Sequence, residues 1–251
     1  YTTMKNAIET LLSSGKPVAL LLDYGGTIDT NGRHWAGVLW EAYQAVGVPI
    51  SEAQFRDAYV FGERALAKAP IVKPNDNFKQ MLLKKVENEL AWLEFKKEVN
   101  FSGLQSQSYI YDVANYCDRF VLQTLEKARP VLKQLAAKFP IVLVSNFYGN
   151  LHSVLQTYEL DGIFRDVVES SVEGVRKPDP KLFRLAVQKA GVPAAQTILV
   201  GDSFRKDILP ARSIGCRTIW LKGTAWKEEE FDETLPNAII TDFGELQNIL
   251  L

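Results

Sequence analysis

The sequence predicts an α/β fold, a doubly wound parallel sheet carrying an inserted all-helical domain. Three observations lead there. Apolar runs without polar alternation recur at Val18–Leu22, Ile141–Val144 and Ile198–Val200, as in strands buried on both faces. Helical stripes alternate with the later runs, and such β/α alternation implies parallel strands joined by right-handed crossovers. From about residue 33 to 128, by contrast, the periodicity is helical throughout, so this block interrupts the sheet after its first strand.

In chain order, Met4, Ala7, Ile8 and Leu11 form an amphipathic helix that Gly15 and Pro17 stop before the first strand. Trp35, Leu39, Ala42, Tyr43 and Val46 make the next stripe, closed by Gly47 and Pro49, and Ser51 with Gln54 reads as a capping box. The proline-containing stretch 69–77 is a loop. Leu82, Val86, Leu90 and Leu93 mark a helix expected to end near Asn100, and Ile110, Val113, Ala114, Cys117, Val121 and Leu125 mark another. Pro130 suits the first position of a new helix bearing Leu132, Leu135, Ala136 and Phe139. After the strand at 141–144 come a helix with Leu151, Val154, Leu155 and Tyr158, a short strand near Asp166 to Glu169, and a helix from Asp179-Pro180 to Gly191. Strands at 198–200, 217–221 and 238–240 complete the pattern. The expected division is 1–31 with 129–251 as an α/β core and 32–128 as the helical domain.

Hydrophobic residues make up 47% and charged residues 24% of the 251, an ordinary globular composition. A net charge of -1 provides no field to draw the chain to nucleic acid or anionic membrane. The two cysteines, Cys117 and Cys216, lack CxxC spacing, which argues against a disulfide framework or structural zinc. His34 and His152 are too few for a multi-histidine metal site. No apolar run reaches transmembrane length. The expectation is a cytoplasmic monomer or homodimer without nucleic-acid or membrane partners.

Reactive residues concentrate directly after the strands. The first strand delivers Asp23 and the second delivers Ser145 and Asn146. The loop after the third carries Arg176-Lys177-Pro178-Asp179-Pro180, and the fourth strand delivers Gly201-Asp202 through Asp207. In a parallel sheet these groups gather along one edge, where open α/β sheets bind ligands. Asp23, Asp202 and Asp207 would crowd negative charge there, which a hard divalent cation such as Mg2+ resolves with oxygen ligands. Lys177 and Ser145 add the cation and hydroxyl needed to hold a phosphoryl oxygen. Each has a plainer reading alone: Asp23 as a turn acid, Ser145 as a turn residue, Asp207 as a helix cap. Arg176 and Arg205 read as solvated and His152 as exposed.

Together these residues resemble the four motifs of the haloacid dehalogenase superfamily, mostly phosphohydrolases with a Rossmann-like core. The family's D-x-D-G-T is matched by Asp23-Tyr24-Gly25-Gly26-Thr27, its Ser or Thr after a strand by Ser145, its lysine by Lys177-Pro178-Asp179-Pro180, and its G-D-x-x-x-x-D by Gly201-Asp202 to Asp207. The resemblance spans essentially the whole chain, because the helical block is similar to the family's mobile cap. It implies that Asp23 is a nucleophile that takes the phosphoryl group of a small phosphorylated metabolite, giving an aspartyl-phosphate that water hydrolyses. It further implies that Ser145 and Lys177 bind the transferring phosphoryl, with Asn146, Thr27 and His34 as further phosphate or substrate contacts. Mg2+ would be held by Asp23, Asp202 and the backbone carbonyl of Gly25, while Asp207 orients a water ligand or Lys177 from behind.

Gly25 departs from the pattern, for it stands where the family's phosphatases carry the general acid/base Asp. Losing such a group costs about 10²–10⁴ in rate. Three readings follow. The first is a phosphatase confined to good leaving groups or using another acid, His34 or Asp29. The second is a phosphonatase-like hydrolase, whose Schiff-base chemistry needs a cap lysine that does not stand out between 33 and 128. The third is a catalytically quiet regulatory protein that binds phosphate and Mg2+. A dehalogenase fits less well, since those enzymes are metal-independent and lack the Gly201-Asp202 pattern. The segment from Thr30 to Arg33 reads as a hinge, and the aromatic residues beyond it have spacings that core packing explains.

Overall fold

The computed structural model describes residues 2–226 and 229–251, without the side chains of residues 2–5. Helix α1 (Thr2–Ser13) leads into strand β1 (Ala19–Leu22), and four helices follow: α2 (Trp35–Val46), α3 (Glu52–Lys68), α4 (Phe78–Phe95) and α5 (Gly103–Lys138). Next come β2 (Ile141–Ser145), α6 (Leu151–Thr157), β3 (Asp166–Glu169), α7 (Ser170–Glu173), α8 (Pro180–Ala190) and β4 (Thr197–Gly201). A π-helical turn, Phe204–Ile208, runs into α9 (Leu209–Ser213), and β5 (Arg217–Leu221), β6 (Ala238–Ile240) and α10 (Leu246–Leu250) close the chain.

All six strands are parallel, in the order β3-β2-β1-β4-β5-β6. The chain runs outward from β1 to β3, then returns to β4 on the other flank of β1. Strand order therefore reverses between β1 and β4, and the crevice beyond their carboxyl ends is the topological switch point where such sheets bind ligands. The four residues of β1 are all fully buried. Leu20 and Leu22 join the layer that includes Leu132 and Leu135 of α5, whereas Ala19 and Leu21 join the layer under Leu182, Phe183 and Ala186 of α8. Burying each such leucine favours folding by roughly 1.5–3 kcal/mol, so the ends of β1 are firmly held.

The predicted doubly wound sheet with a helical insertion is what the chain forms. Ile8 and Leu11 of the first stripe are buried, while Met4 lies outside the described side chains. The capping box of Ser51 and Gln54 is present at the start of α3, and Asp179 caps α8, which ends at Gly191 in the left-handed conformation. Two expectations fail. Helix α4 stops at Phe95 rather than near Asn100, and the chain reverses at Lys97, whose φ is +59°. Pro130 does not begin a new helix but lies inside α5, which crosses the expected boundary at 128/129 unbroken. The buried stripe of Val121, Leu125, Ala128, Val131, Leu132 and Leu135 is continuous through it, so packing outweighs the single backbone hydrogen bond proline forfeits. Helix α5 packs on α2 and α4 in the insertion and on α10 beside the sheet.

Candidate active site

Asp23 leaves β1 with its N–H donating to the carbonyl of Val200 at 3.0 Å, which ties its loop to β4. The loop then folds back on itself. Thr27, Ile28 and Asp29 donate their N–H groups to the carbonyl of Tyr24. Gly26 donates to Asp29 Oδ1 at 2.7 Å, and the Trp35 indole donates to Asp29 Oδ2 at 3.0 Å. Gly26 itself has φ +99°, and a Cβ there would lie 2.7 Å from the Asp202 carboxylate, so only glycine lets the two strand ends meet. Gly25 differs. A Cβ on it would have no described atom within 4 Å, and the residue lines a cavity of about 470 Å³ between the sheet edge and the insertion.

Lys177 is the electrostatic centre. Its Nζ donates to Asp23 Oδ1 at 2.7 Å and to Asp207 Oδ1 at 2.6 Å, with all three side chains nearly inaccessible. Burial opposes the ammonium's charge, but the Asp207 and Asp23 carboxylates outweigh it and hold the lysine above its ordinary range. Asp207 Oδ2 accepts the N–H of Ser203 at 3.0 Å, so both its oxygens are used in fixing Lys177 and the loop. The cap of the π-helical turn is Ser203, not Asp207. Thr27 Oγ1 accepts the N–H of Asp202 and lies 3.1 Å from Asp23 Oδ2 and 3.0 Å from Asp202 Oδ1, bridging the two acids.

Oxygens of Asp23, Asp202 and Asp207 all lie within 4.8 Å of one another. Burial, and then the neighbouring Asp23 and Asp207 carboxylates, push the Asp202 carboxyl well above the carboxylate range. One ammonium against two buried carboxylates and the half-buried Asp202 leaves the cluster short of positive charge, and the donors are hard oxygens. The set fits a divalent cation such as Mg2+.

Ser145 ends β2 and is almost fully buried, and its Oγ has no hydrogen-bond partner among the described residues. An orphaned buried hydroxyl is unusual; Ser145 lies just behind the cavity lining, next to the lining residue Asn146. Asn146 lines the cavity, yet its carboxamide is committed elsewhere: Oδ1 accepts the Lys177 N–H at 2.8 Å and Nδ2 donates to the Lys177 carbonyl at 3.2 Å. Its side chain thus clamps the lysine's backbone rather than reaching into the cavity. His34 lines the cavity and caps α2, with Nδ1 accepting the Ala36 N–H at 3.1 Å. Burial, aided by Lys206, pushes its pKa to about 4, so the ring is neutral near pH 7. Asp29 is fully buried behind the loop, with both oxygens occupied, and does not line the cavity. His152 is exposed, as are Arg176 at the cavity rim and Arg205, which pairs with Glu229.

Across the cavity the insertion contributes groups that sequence reading missed. Glu63 of α3 pairs with Lys85 of α4 and accepts from the Tyr148 hydroxyl, which follows β2. The signal was present: Lys85 and Glu89 fall on the buried stripe of α4 with Leu82, Val86, Leu90 and Leu93, where charges are out of place unless paired.

Among proteins of known function, a glyceraldehyde 3-phosphate phosphatase of Pyrococcus furiosus is 34% identical over 37% of this chain and 39% of its own length. A phosphoglycolate phosphatase of Vibrio cholerae is 25% identical over 92% of this chain and 96% of its own. The first match thus spans about two fifths of the relative, the second nearly all of it. Among solved structures, the magnesium-bound HAD-hydrolase YfnB of Bacillus subtilis superposes with a TM-score of 0.56 at 17% identity, covering 94% of this chain and 99% of that one, a likeness of fold. The family profile of haloacid dehalogenase-like hydrolases matches residues 17–215, which include every strand-end group described above, and the chain belongs to that family.

Proposed function

We propose that the protein is a Mg2+-dependent phosphomonoesterase acting on a small phosphorylated metabolite through an aspartyl-phosphate at Asp23. The observation that carries this reading is the buried Lys177 ammonium shared by Asp23 and Asp207, with Asp202 alongside, at the switch point of the sheet. Phosphatase activity in the matched relatives supports it. Attack by an Asp23 oxygen forms a bond to phosphorus while the ester P–O bond breaks. Water then attacks the same phosphorus, releasing inorganic phosphate and restoring the carboxylate. Lys177 and the unpartnered Ser145 hydroxyl stabilise the phosphoryl oxygens, and Asn146 and Asp207 keep Lys177 in position. Held by Asp23, Asp202 and the Gly25 carbonyl, Mg2+ would supply positive charge against the phosphoryl oxygens. In this reading residues 32–128 act as a cap over a core of 1–31 and 129–251.

Proton supply to the leaving group is the weak step. Gly25 has no acid to offer, His34 is neutral, and Asp29 is walled off. The enzyme is therefore selective for esters whose leaving oxygen departs without help. A phosphonatase-like reading loses support for a different reason. Lys85 is the insertion lysine that lines the cavity, but Glu63 and its neighbours hold it protonated, unsuited to Schiff-base formation.

The test compares wild type, Gly25→Asp and Asp23→Asn with Mg2+ over aryl and alkyl phosphates of graded leaving-group pKa. Wild type is expected to show rates that fall steeply with leaving-group basicity. Gly25→Asp fits without a clash and should recover about 10²-fold on the poorest leaving groups. Asp23→Asn should abolish turnover, and full activity in that variant would rule out the nucleophile. Absence of turnover in both wild type and Gly25→Asp would favour the quiet binding protein.

A further inference from the structure

The cavity wall opposite Asp23 carries one accessible charge. Glu63 keeps 34% of its side chain exposed, whereas Lys85 beside it keeps 5%. Lys85 also lines the cavity, but its Nζ is nearly inaccessible and already engaged: it pairs with Glu63 and sits 4.8 Å over the Tyr59 ring, with Glu89 one helical turn further along α4. Tyr148 donates to Glu63 at 3.0 Å from the core side, so the carboxylate is fixed from two directions. Much of the surrounding wall, including Phe78, Met81 and Leu82, is apolar. Of the remaining cations on the cavity, Lys177 is held by Asp23 and Asp207, while Arg176 and Lys206 are exposed to solvent, which screens the pull of Lys206 on Glu63.

From this arrangement we infer that Glu63 is a specificity-determining acceptor, selecting phosphoesters whose leaving group carries hydroxyl or ammonium donors and rejecting those that carry a carboxylate. The inference rests on the phosphomonoesterase reading above and deepens it. A donor-bearing group gains a charge-assisted hydrogen bond at Glu63, the stronger kind inside a cavity. A carboxylate in the same place meets the negative end of the Glu63–Lys85 pair, because the ammonium is nearly inaccessible from the cavity, and like charges brought together out of water repel. Burial would by itself disfavour the charged form of Glu63, but Lys85 and the Tyr148 hydroxyl outweigh it and keep the acid ionised.

The experiment measures kcat/KM for glycerol 3-phosphate (hydroxyl donors), ethanolamine phosphate (ammonium donor) and phosphoglycolate (carboxylate) with Mg2+. The proteins are wild type, Glu63→Gln, and the double variant Glu63→Gln with Lys85→Met. The double variant is included because Glu63→Gln alone leaves a buried ammonium unpaired. Wild type should prefer at least one donor ester over phosphoglycolate by about tenfold or more, and both variants should erase that preference, mainly through KM. Which donor ester leads separates recognition of a polyol from recognition of an amine. Calorimetric binding of the same three esters to Asp23→Asn separates the two levels of the claim. Discrimination in binding, with no turnover of these alkyl esters by Gly25→Asp and none of activated aryl phosphates by wild type, would overturn the phosphatase reading and keep Glu63 as selector. Turnover with a preference that survives in both variants, or a preference for phosphoglycolate in wild type, would overturn the role of Glu63 alone.

Discussion

Glu89 lies on the buried face of α4, with Oε2 accepting the Tyr43 hydroxyl at 2.7 Å and Oε1 unpartnered among the described residues. Burial pushes its carboxyl from 4.5 up to about 7, against the opposing pull of Lys85 and the Tyr43 hydroxyl. The folded protein therefore holds this proton more tightly than the unfolded chain does. Below pH 4.5 the group is neutral in both states and costs nothing; the penalty on folding grows as pH rises towards 7 and is complete above it. Glu89→Gln removes that penalty while retaining an acceptor for Tyr43. It should raise stability at pH 8 by on the order of 2 kcal/mol and change it little at pH 4.5. Urea midpoints at the two pH values check this, and an equal gain at both would show that relief of ionisation is not the cause. Gly62 belongs to the same arrangement: a Cβ there would come within 2.9 Å of Glu89 Cγ, so the small residue makes room for the acid.

Among the elements, the strands were the most legible. Predicted strands at 166–169, 217–221 and 238–240 coincide with β3, β5 and β6, because buried parallel strands are short apolar runs with turn chemistry at each end. The strand-end groups were legible for the same reason, each sitting directly after its run. The opposite wall was not: Tyr148 and Glu63 are separated by 85 residues and meet only through tertiary packing. Helix α5 shows a further limit. A proline reads locally as a helix start, yet the stripe on either side of Pro130 keeps one helical phase and one buried face. Pro130 is itself exposed, so its ring contributes little packing. Pro130→Ala should restore a main-chain donor to α5 and stabilise the protein by about 1–3 kcal/mol, measured by denaturant unfolding. A loss of stability would mean that the proline's restricted backbone at position 130 is needed where α5 passes from the insertion to the sheet.

At the scale of the whole molecule, the sheet edge is built under electrostatic tension that a cation would release. Strands β1 and β4 meet through the Gly26–Asp202 approach, and the π-helical turn brings in Asp207, so Asp23 and Asp207 share the Lys177 ammonium while Asp202 crowds in beside them without a cation of its own. In the absence of a divalent ion this arrangement opposes folding; a ligand that binds only the folded state reverses the effect by mass action. Mg2+ at a hundredfold excess over its dissociation constant would add about 2.7 kcal/mol. For a chain of this size that corresponds to a rise in Tm of about 2–4 °C per kcal/mol. Asp202→Asn removes one of the crowded charges and one ligand together. Without Mg2+ this variant should melt at or above the wild-type temperature, and added Mg2+ should no longer raise its Tm, whereas wild type should respond. Calcium, which accepts looser oxygen coordination, should stabilise wild type as well, so the thermal shift reports the charge cluster independently of turnover. A variant that still gained as many degrees from Mg2+ as wild type would remove Asp202 from the cation site and leave the crowding at Asp23 and Asp207 to Lys177 alone.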